Sequence, residues 1–322
     1  MKVGILGAGG IARKMAKTLN KMDRASAYAI GSRSIEKAQA FAKDFGIGKA
    51  YGSYEALLSD PEVQLVYVAT PHSHHAQHIE LALEHGKPVL CEKAFTVNAK
   101  QAKKVIDLAK KKHLLLAEAI WTRYVPMRNM LDEVVKSGII GEITSLTANL
   151  GYAIDTVPRL MDPNLAGGAL LDVGVYTINF MSMVLGDGFS SFDASAVMTE
   201  TGVDGHNSLT FSYPDGKIAI LHSSQHAITD RRGMLFGTKG FIEVVNINNP
   251  EKIRVFDSEY QLVKEIVQPQ QITGFEYQVE ACIDAIEAGA MECPQMPHDE
   301  ILRIMGIMDD VRARWGLKYP NE

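Results

Sequence analysis

The sequence predicts an α/β protein in two parts, an N-terminal doubly wound parallel sheet and a C-terminal α+β region with a large, mostly antiparallel open sheet. Three observations predict it. A glycine-rich turn follows an apolar run at the N-terminus, and short apolar runs then alternate with amphipathic stretches through the first third. Beyond Trp121 the rhythm changes to a long train of alternating segments between Ser190 and Val267. At 322 residues and 46% hydrophobic composition the chain has material for two cores, which we place at 1–121 and 122–322.

Taken in order, Lys2 to Leu6 reads as a buried strand. Ile11 to Met22 reads as a helix with Ile11, Met15, Leu19 and Met22 on its apolar positions, and Ala25 to Gly31 as a second strand, making one βαβ unit. Leu65 to Ala69, Pro88 to Cys91 and Leu114 to Glu118 continue the strands. His74 to His85 and Ala99 to Lys112 supply the helices between them. In the second part, Met127 to Ser137 and Gly168 to Leu185 read as helices, and Tyr213-Pro214-Asp215-Gly216 and Thr238-Lys239-Gly240 as turns. Phe275 to Ala288 and Asp299 to Trp315 close the chain as helices.

Charge and cysteine usage exclude several classes. A net charge of −5 with no basic tract argues against nucleic acid, and Lys110-Lys111-Lys112 reads as a solvated helix end. The three cysteines, Cys91, Cys282 and Cys293, have neither metal-type spacing nor a disulfide framework, so a reducing cytoplasm is expected. We read no signal peptide, and no apolar run approaching the ~20 residues that span a bilayer.

The turn Gly7-x-Gly9-x-x-Ala12 follows a strand and opens a helix, the context a dinucleotide pyrophosphate requires. Gly7 permits the tight turn, Gly9 lets backbone approach phosphate, and Ala12 allows close helix–strand packing. Gly10, Ile11 and Ala12 begin a helix whose free N–H groups face the anion. This is a Rossmann-type signature. The second strand ends in Gly31-Ser32-Arg33-Ser34, with no Asp or Glu for the ribose hydroxyls. Ser32 offers a hydroxyl and Arg33 a planar cationic fork, so NADP is favoured over NAD, and the missing acid equally disfavours S-adenosylmethionine. Lys37, one turn on, either adds charge or lies on a solvated face beside Glu36.

Three more segments fall where the loops after strands gather. Thr70-Pro71-His72-Ser73-His74-His75 follows a strand and opens a helix. His72, His74 and His75 contain no helical i, i+4 pair and no completing ligand, so we assign no metal, only helix capping and a cofactor contact through one histidine. Glu92-Lys93-Ala94 places a lysine at a strand's carboxyl end, where it can hold positive charge beside a reacting hydroxyl, or simply pair with Glu92. Asp172 and Tyr176 lie four residues apart on an otherwise apolar helix, so both project from one face. A buried carboxylate there needs either a partner or a function. The Tyr176 phenol, with a reference pKa of about 10, becomes a usable base only beside positive charge.

In this order, the segments resemble the glucose-fructose oxidoreductase/inositol dehydrogenase family over essentially the whole chain. Glu92-Lys93 matches its Glu-Lys-Pro motif, Pro71 to His75 its Pro-x-x-x-His turn, and Asp172 to Tyr176 its Asp-x-x-x-His position. Glu118 to Tyr124 and Gly168 to Tyr176 resemble the dihydrodiol dehydrogenase and NADP-dependent D-xylose dehydrogenase subgroup, which carries tyrosine in place of the catalytic histidine. The resemblance implies that Tyr176 is the acid/base, Lys93 its electrostatic partner and a nicotinamide contact, and Asp172 an orienting or substrate-bonding group. It further implies that Trp121 lines the substrate pocket, that Arg123 either contacts substrate or is structural, and that the chain forms a homodimer or tetramer. Ala94 departs from the family's proline. A cis bond before alanine costs ~3 kcal/mol, so the Lys93–Ala94 peptide is expected to be trans or strained. The activity implied is reversible hydride transfer between NADP and a small polyhydroxylated substrate, an aldose or a cyclic vicinal diol. A non-catalytic NAD(P) sensor on the same fold is the rival.

Overall fold

The computed structural model describes every residue except Asn321. It divides into two compact units. Met1–Trp121 with Gln271–Met305 forms the first, and Thr122–Gln270 with Gly306–Glu322 the second. The sequence division at 121/122 leaves all of 122–322 together, whereas Gln271–Met305 folds with the first unit. The reason lies at the sheet edge. Leu116 donates its N–H to Met291 O at 3.0 Å and its carbonyl faces His298 Nε2 at 2.9 Å, so the returning segment covers the last strand's open backbone.

The first unit runs β1 (Lys2–Leu6), α1 (Gly10–Leu19), β2 (Ser26–Gly31), α2 (Ile35–Phe45), β3 (Lys49–Tyr51), α3 (Tyr54–Leu58) and β4 (Leu65–Val68). It continues through α4 (His75–Glu84), β5 (Val89–Glu92), α5 (Ala99–Lys112) and β6 (Leu116–Ala119). All six strands are parallel in the order β3-β2-β1-β4-β5-β6. The order reverses between β1 and β4, so the loops after those two strands part to leave a crevice. β4 and β5 are buried along their whole length, as strands covered on both faces must be. α1 seats Ala12, Met15, Ala16 and Leu19 on the sheet, and caps from Ser34 on α2 and Asn98 on α5 fix where those helices begin.

The second unit begins with α6 (Pro126–Lys136) and β7 (Ile143–Gly151), then a π-helical turn over Leu170–Gly174 that leads into α7 (Val175–Leu185). The strands β8 (Ser191–Met198), β9 (Asp204–Ser212), β10 (Ile218–Ser224), β11 (Gly233–Gly237), β12 (Gly240–Val245), β13 (Lys252–Asp257) and β14 (Leu262–Val267) follow. α8 (Glu276–Glu287) belongs to the first unit, and α9 (His298–Trp315) begins there and ends in the second. The eight strands order as β14-β13-β12-β11-β7-β10-β9-β8, and among the described residues β7 with β10 is the single parallel pair of this sheet. Gly216 at φ +86 closes one hairpin, with its N–H on Tyr213 O at 3.0 Å, and Gly237 pairs with Gly240 across the other.

One sheet face is core: Leu146, Leu221, Leu235, Ile242 and Val255 are all but inaccessible to water. The other face carries Ile218, Phe236, Phe241, Phe256 and Leu262 in register across the strands, with Ile218 and Leu262 exposed. The sequence suggests no run long enough to span a bilayer. Pro163–Leu185 does reach 23 residues at a mean hydropathy of 1.5, but 83% of its apolar window is buried, and it is the core helix of this unit.

Candidate active site

In the first unit, Gly7, Ala8, Gly9, Ser32, Arg33, Ser34, Lys37, Tyr54, Ala69, Thr70 and Pro71 line one cavity of about 450 Å³. It opens where β1 and β4 part. Gly7 sits at φ +101, and a Cβ on it would lie 2.8 Å from Ala69 O, so only glycine closes this turn. Gly9 differs: a Cβ there meets no protein atom within 4 Å. The space it leaves faces the cavity, so the cradle a side chain would fill is the one a pyrophosphate needs. Gly10, Ile11 and Ala12 form the first turn of α1, which has no acidic residue and no side-chain cap.

The far wall is cationic. Arg33 lies close enough to His74 and His78 to disfavour their protonation, after burial as the main cause, and His78 is held down to about 4. Thr70 Oγ1 meets His78 Nδ1 at 2.9 Å, and the Tyr54 ring stands edge-on to His78 at 4.7 Å. Glu36 accepts from Ser34 Oγ at 2.6 Å, an internal cap for α2, while Lys37 lies on the cavity wall. The residues fit a dinucleotide with a 2′-phosphate on Ser32, Arg33 and Lys37. Tyr54, which carries no sequence signal, lies on a helix whose amphipathic pattern is too brief to read.

His72 and His75 are buried with their rings perpendicular at 5.7 Å. The sequence offers His72 and His75 as candidates for the cofactor contact, and His75 also has a place in the frame of the protein. Its Nδ1 faces Ala94 O at 2.9 Å and its Nε2 faces Thr70 O at 2.8 Å, so the ring ties the loop after β4 to the loop after β5. The Lys93–Ala94 peptide beside it is cis rather than trans. Glu92 is buried, accepts from the Tyr67 hydroxyl, and receives the Lys93 N–H at 3.3 Å, so it belongs to the frame of this loop. Trp121 stacks on Phe275 with ring centres 4.3 Å apart and planes 10° from parallel. Phe275 lies too far along the chain for sequence spacing to connect the two.

In the second unit, Asp172 is within the π-helical turn and Tyr176 opens α7; both are buried. The i, i+4 spacing supposes a regular α-helix, and the wider turn over 170–174 replaces it, a feature common at functional sites. Asp172 has the partner its burial demands: Arg159 Nη2 donates to its Oδ1 at 3.1 Å. Arg159 lies in the short 3₁₀ turn Pro158–Leu160 and gives no sequence signal. The start of the helix is held by Asp204, which accepts from Leu170 N and Asn207 Nδ2, each at 2.8 Å. Burial raises the Asp204 carboxyl to about 7. Arg123 is buried and donates to Asn179 Oδ1 at 2.6 Å and Ser182 Oγ at 3.2 Å on α7, so it braces that helix. Among the described residues no group of three or more His, Cys, Asp or Glu side chains converges as a metal site.

Residues 1–119 match the model of an oxidoreductase family with an NAD-binding Rossmann fold, and residues 129–243 match the GFO/IDH/MocA C-terminal domain. A trans-1,2-dihydrobenzene-1,2-diol dehydrogenase of Xenopus tropicalis is 33% identical over 99% of both chains. The chain belongs to the GFO/IDH/MocA oxidoreductase family. An NADP-dependent D-xylose 1-dehydrogenase of Hypocrea jecorina is also 33% identical, over 100% of this chain and 93% of its own. Among solved structures, a 3-ketoreductase from Actinomadura kijaniata in complex with NADP and TDP-benzene superposes with a TM-score of 0.88 at 27% identity, over 97% of both chains. An aldose-aldose oxidoreductase from Caulobacter crescentus shares the fold, with a TM-score of 0.88 at 22% identity over 98% of both chains. As a GFO/IDH/MocA member this chain is an oxidoreductase, and nothing in these likenesses supports a non-catalytic sensor.

Proposed function

We propose that this GFO/IDH/MocA enzyme is an NADP-dependent dehydrogenase acting on a hydroxyl-bearing carbon of a sugar or cyclic vicinal diol. The observation that carries the proposal is the shared cavity in which the Gly7–Gly9 turn faces Ser32, Arg33 and Lys37, with no carboxylate lining it. The relatives named for dihydrodiol and NADP-dependent D-xylose oxidation support the substrate class.

Bound NADP supplies the two-electron redox chemistry, and the protein's residues supply the rest. Tyr176 takes the hydroxyl proton during oxidation and returns it during reduction. Lys93 provides positive charge that favours the oxygen anion forming on the substrate. Asp172, held by Arg159, accepts a hydrogen bond from a neighbouring substrate hydroxyl and so orients the reacting carbon. Trp121, braced by Phe275, gives an apolar wall that excludes water. Structures of the 3-ketoreductase include replacements of a lysine and of a tyrosine, residue types that suit the roles of Lys93 and Tyr176.

The three cysteines are free and buried, which suits a reducing cytoplasm. The outward apolar row on the large sheet suits assembly into a homodimer or tetramer through that face. Absorbance at the reduced-nicotinamide band tests the activity directly, with NADP or NAD and a panel of aldoses and cyclic diols. NADP-dependent turnover of at least one is expected, and no turnover of any, or a preference for NAD, contradicts the reading.

A further inference from the structure

Two adjacent arginines in the second unit have opposite surroundings. Arg232 pairs with Glu243 and lies 3.7 Å from Asp230. Arg231 forms no ion pair among the described residues; its guanidinium lies over the Tyr152 ring at 6.0 Å. The backbone is built to present that side chain. Arg231 sits at φ +57, a conformation an arginine rarely adopts, and is locked there from both sides. Its N–H donates to Asn149 Oδ1 at 3.1 Å, and its carbonyl accepts from Ile247 N at 2.9 Å.

Polar groups gather around this cation. The Tyr152 hydroxyl accepts from Asn248 Nδ2 at 3.1 Å, while Asn248 Oδ1 is buried without a partner. Tyr152 follows the end of β7, Arg231 precedes β11 and Asn248 follows β12, so the strand register brings all three to one edge of the large sheet. The segment that carries Asp172 and Tyr176 packs on β10, the strand beside β7. Gly174, between them in sequence, packs so tightly on β10 that a Cβ would lie 3.0 Å from Ser223 Oγ. Thr122, the neighbour of Trp121, donates to Ile247 O at 2.8 Å and fixes the loop that carries Asn248.

We infer that Arg231, with Tyr152 and Asn248, forms a subsite for an anionic oxygen group, a carboxylate or a phosphate, carried by the polyhydroxylated substrate. The guanidinium fork matches either anion through two parallel hydrogen bonds, and the Tyr152 ring lies beside it. Asn248 accepts from an adjacent hydroxyl through its unpartnered oxygen. The inference rests on the dehydrogenase reading and sharpens it from sugars and diols in general to acidic ones.

Isothermal titration of the NADP-saturated enzyme with D-gluconate, D-glucose 6-phosphate and neutral D-glucitol tests it. At least one anion should bind about 10- to 100-fold more tightly than glucitol, and the tighter of the two tells carboxylate from phosphate. Arg231→Gln should abolish that preference and leave glucitol affinity within about 3-fold, whereas Arg231→Lys should keep part of it. Equal affinity of the wild type for all three, or none for any, overturns the subsite whether or not the glutamine variant folds. So does an anion preference that survives in Arg231→Gln. NADP affinity measured on the same samples separates the two claims, because its loss contradicts the dehydrogenase reading and its retention without anion preference contradicts the subsite alone.

Discussion

Arg159 and Asp172 are joined by a 3.1 Å contact between Nη2 and Oδ1, with the carboxylate buried and the arginine side chain 43% exposed. The turn that leads into the Tyr176 helix thus holds an acid paired from the 3₁₀ turn Pro158–Leu160. Removing Arg159 takes an ion-pair partner from that buried charge. Arg159→Met should therefore lower kcat/KM about 10-fold and cost about 1 kcal/mol of stability, a figure reduced for the exposure of the arginine. Adding Asp172→Asn should recover the stability and not the activity. Additive effects in this double-mutant cycle, read by denaturant titration, would show that the two do not interact.

Arg33 lines the same cavity as the glycine turn. Arg33→Ala should weaken NADP binding about 10- to 100-fold and leave NAD within about 3-fold, since only NADP carries the 2′-phosphate. Fluorescence titration with both reduced cofactors measures it. Equal losses would remove the phosphate from this wall.

The two turn glycines separate fold from ligand. Gly7→Ala puts a methyl 2.8 Å from Ala69 O on a backbone at φ +101 and should destabilise the apoprotein. Gly9→Val meets no protein atom near its Cβ, so it should leave the apoprotein Tm unchanged and abolish the Tm rise that NADP gives the wild type. A Gly9→Val protein still stabilised by NADP would show that the pyrophosphate lies elsewhere.

Asp204 makes stability depend on pH. Its carboxyl is raised by burial from 3.8 to about 7, so between these values the folded state holds a proton that the unfolded state has released. Its contribution is complete below about pH 4 and is lost as pH rises through about 7. Asparagine keeps an acceptor for Leu170 N and Asn207 Nδ2 while placing its amide where Oδ1 lacks a partner. Asp204→Asn should accordingly gain stability relative to wild type as pH rises from 4 to 8, measured by urea denaturation across that range. A pH-independent difference would contradict the burial of a charge there.

How much of the molecule is legible in the chain follows from how local each signal is. Gly7, Gly9 and Arg33 are legible as candidates that line one cavity because strand, turn and helix lie within about 30 residues, and the crossover rule then fixes their neighbours in space. The helix over Ala99–Lys112 has the bounds its Asn98 cap and lysine-rich end imply. Arg159, Phe275 and Arg231 escape sequence reasoning because each is set by a partner that no helix or strand period connects to it. For His75 the position beside the loop after β4 is visible in the sequence, but the Ala94 carbonyl it faces is not. The return of Gln271–Met305 to the first unit depends on the β6 edge, which no local pattern reports.

In the proposed mechanism the Tyr176 phenol is the group that moves the substrate's proton. Single-turnover and steady-state rates of Tyr176→Phe with NADP and the best substrate, alongside NADP affinity, measure this most directly. A fall in kcat of about 10²- to 10⁴-fold with NADP affinity unchanged is expected. Near-normal turnover in that variant would contradict the central claim.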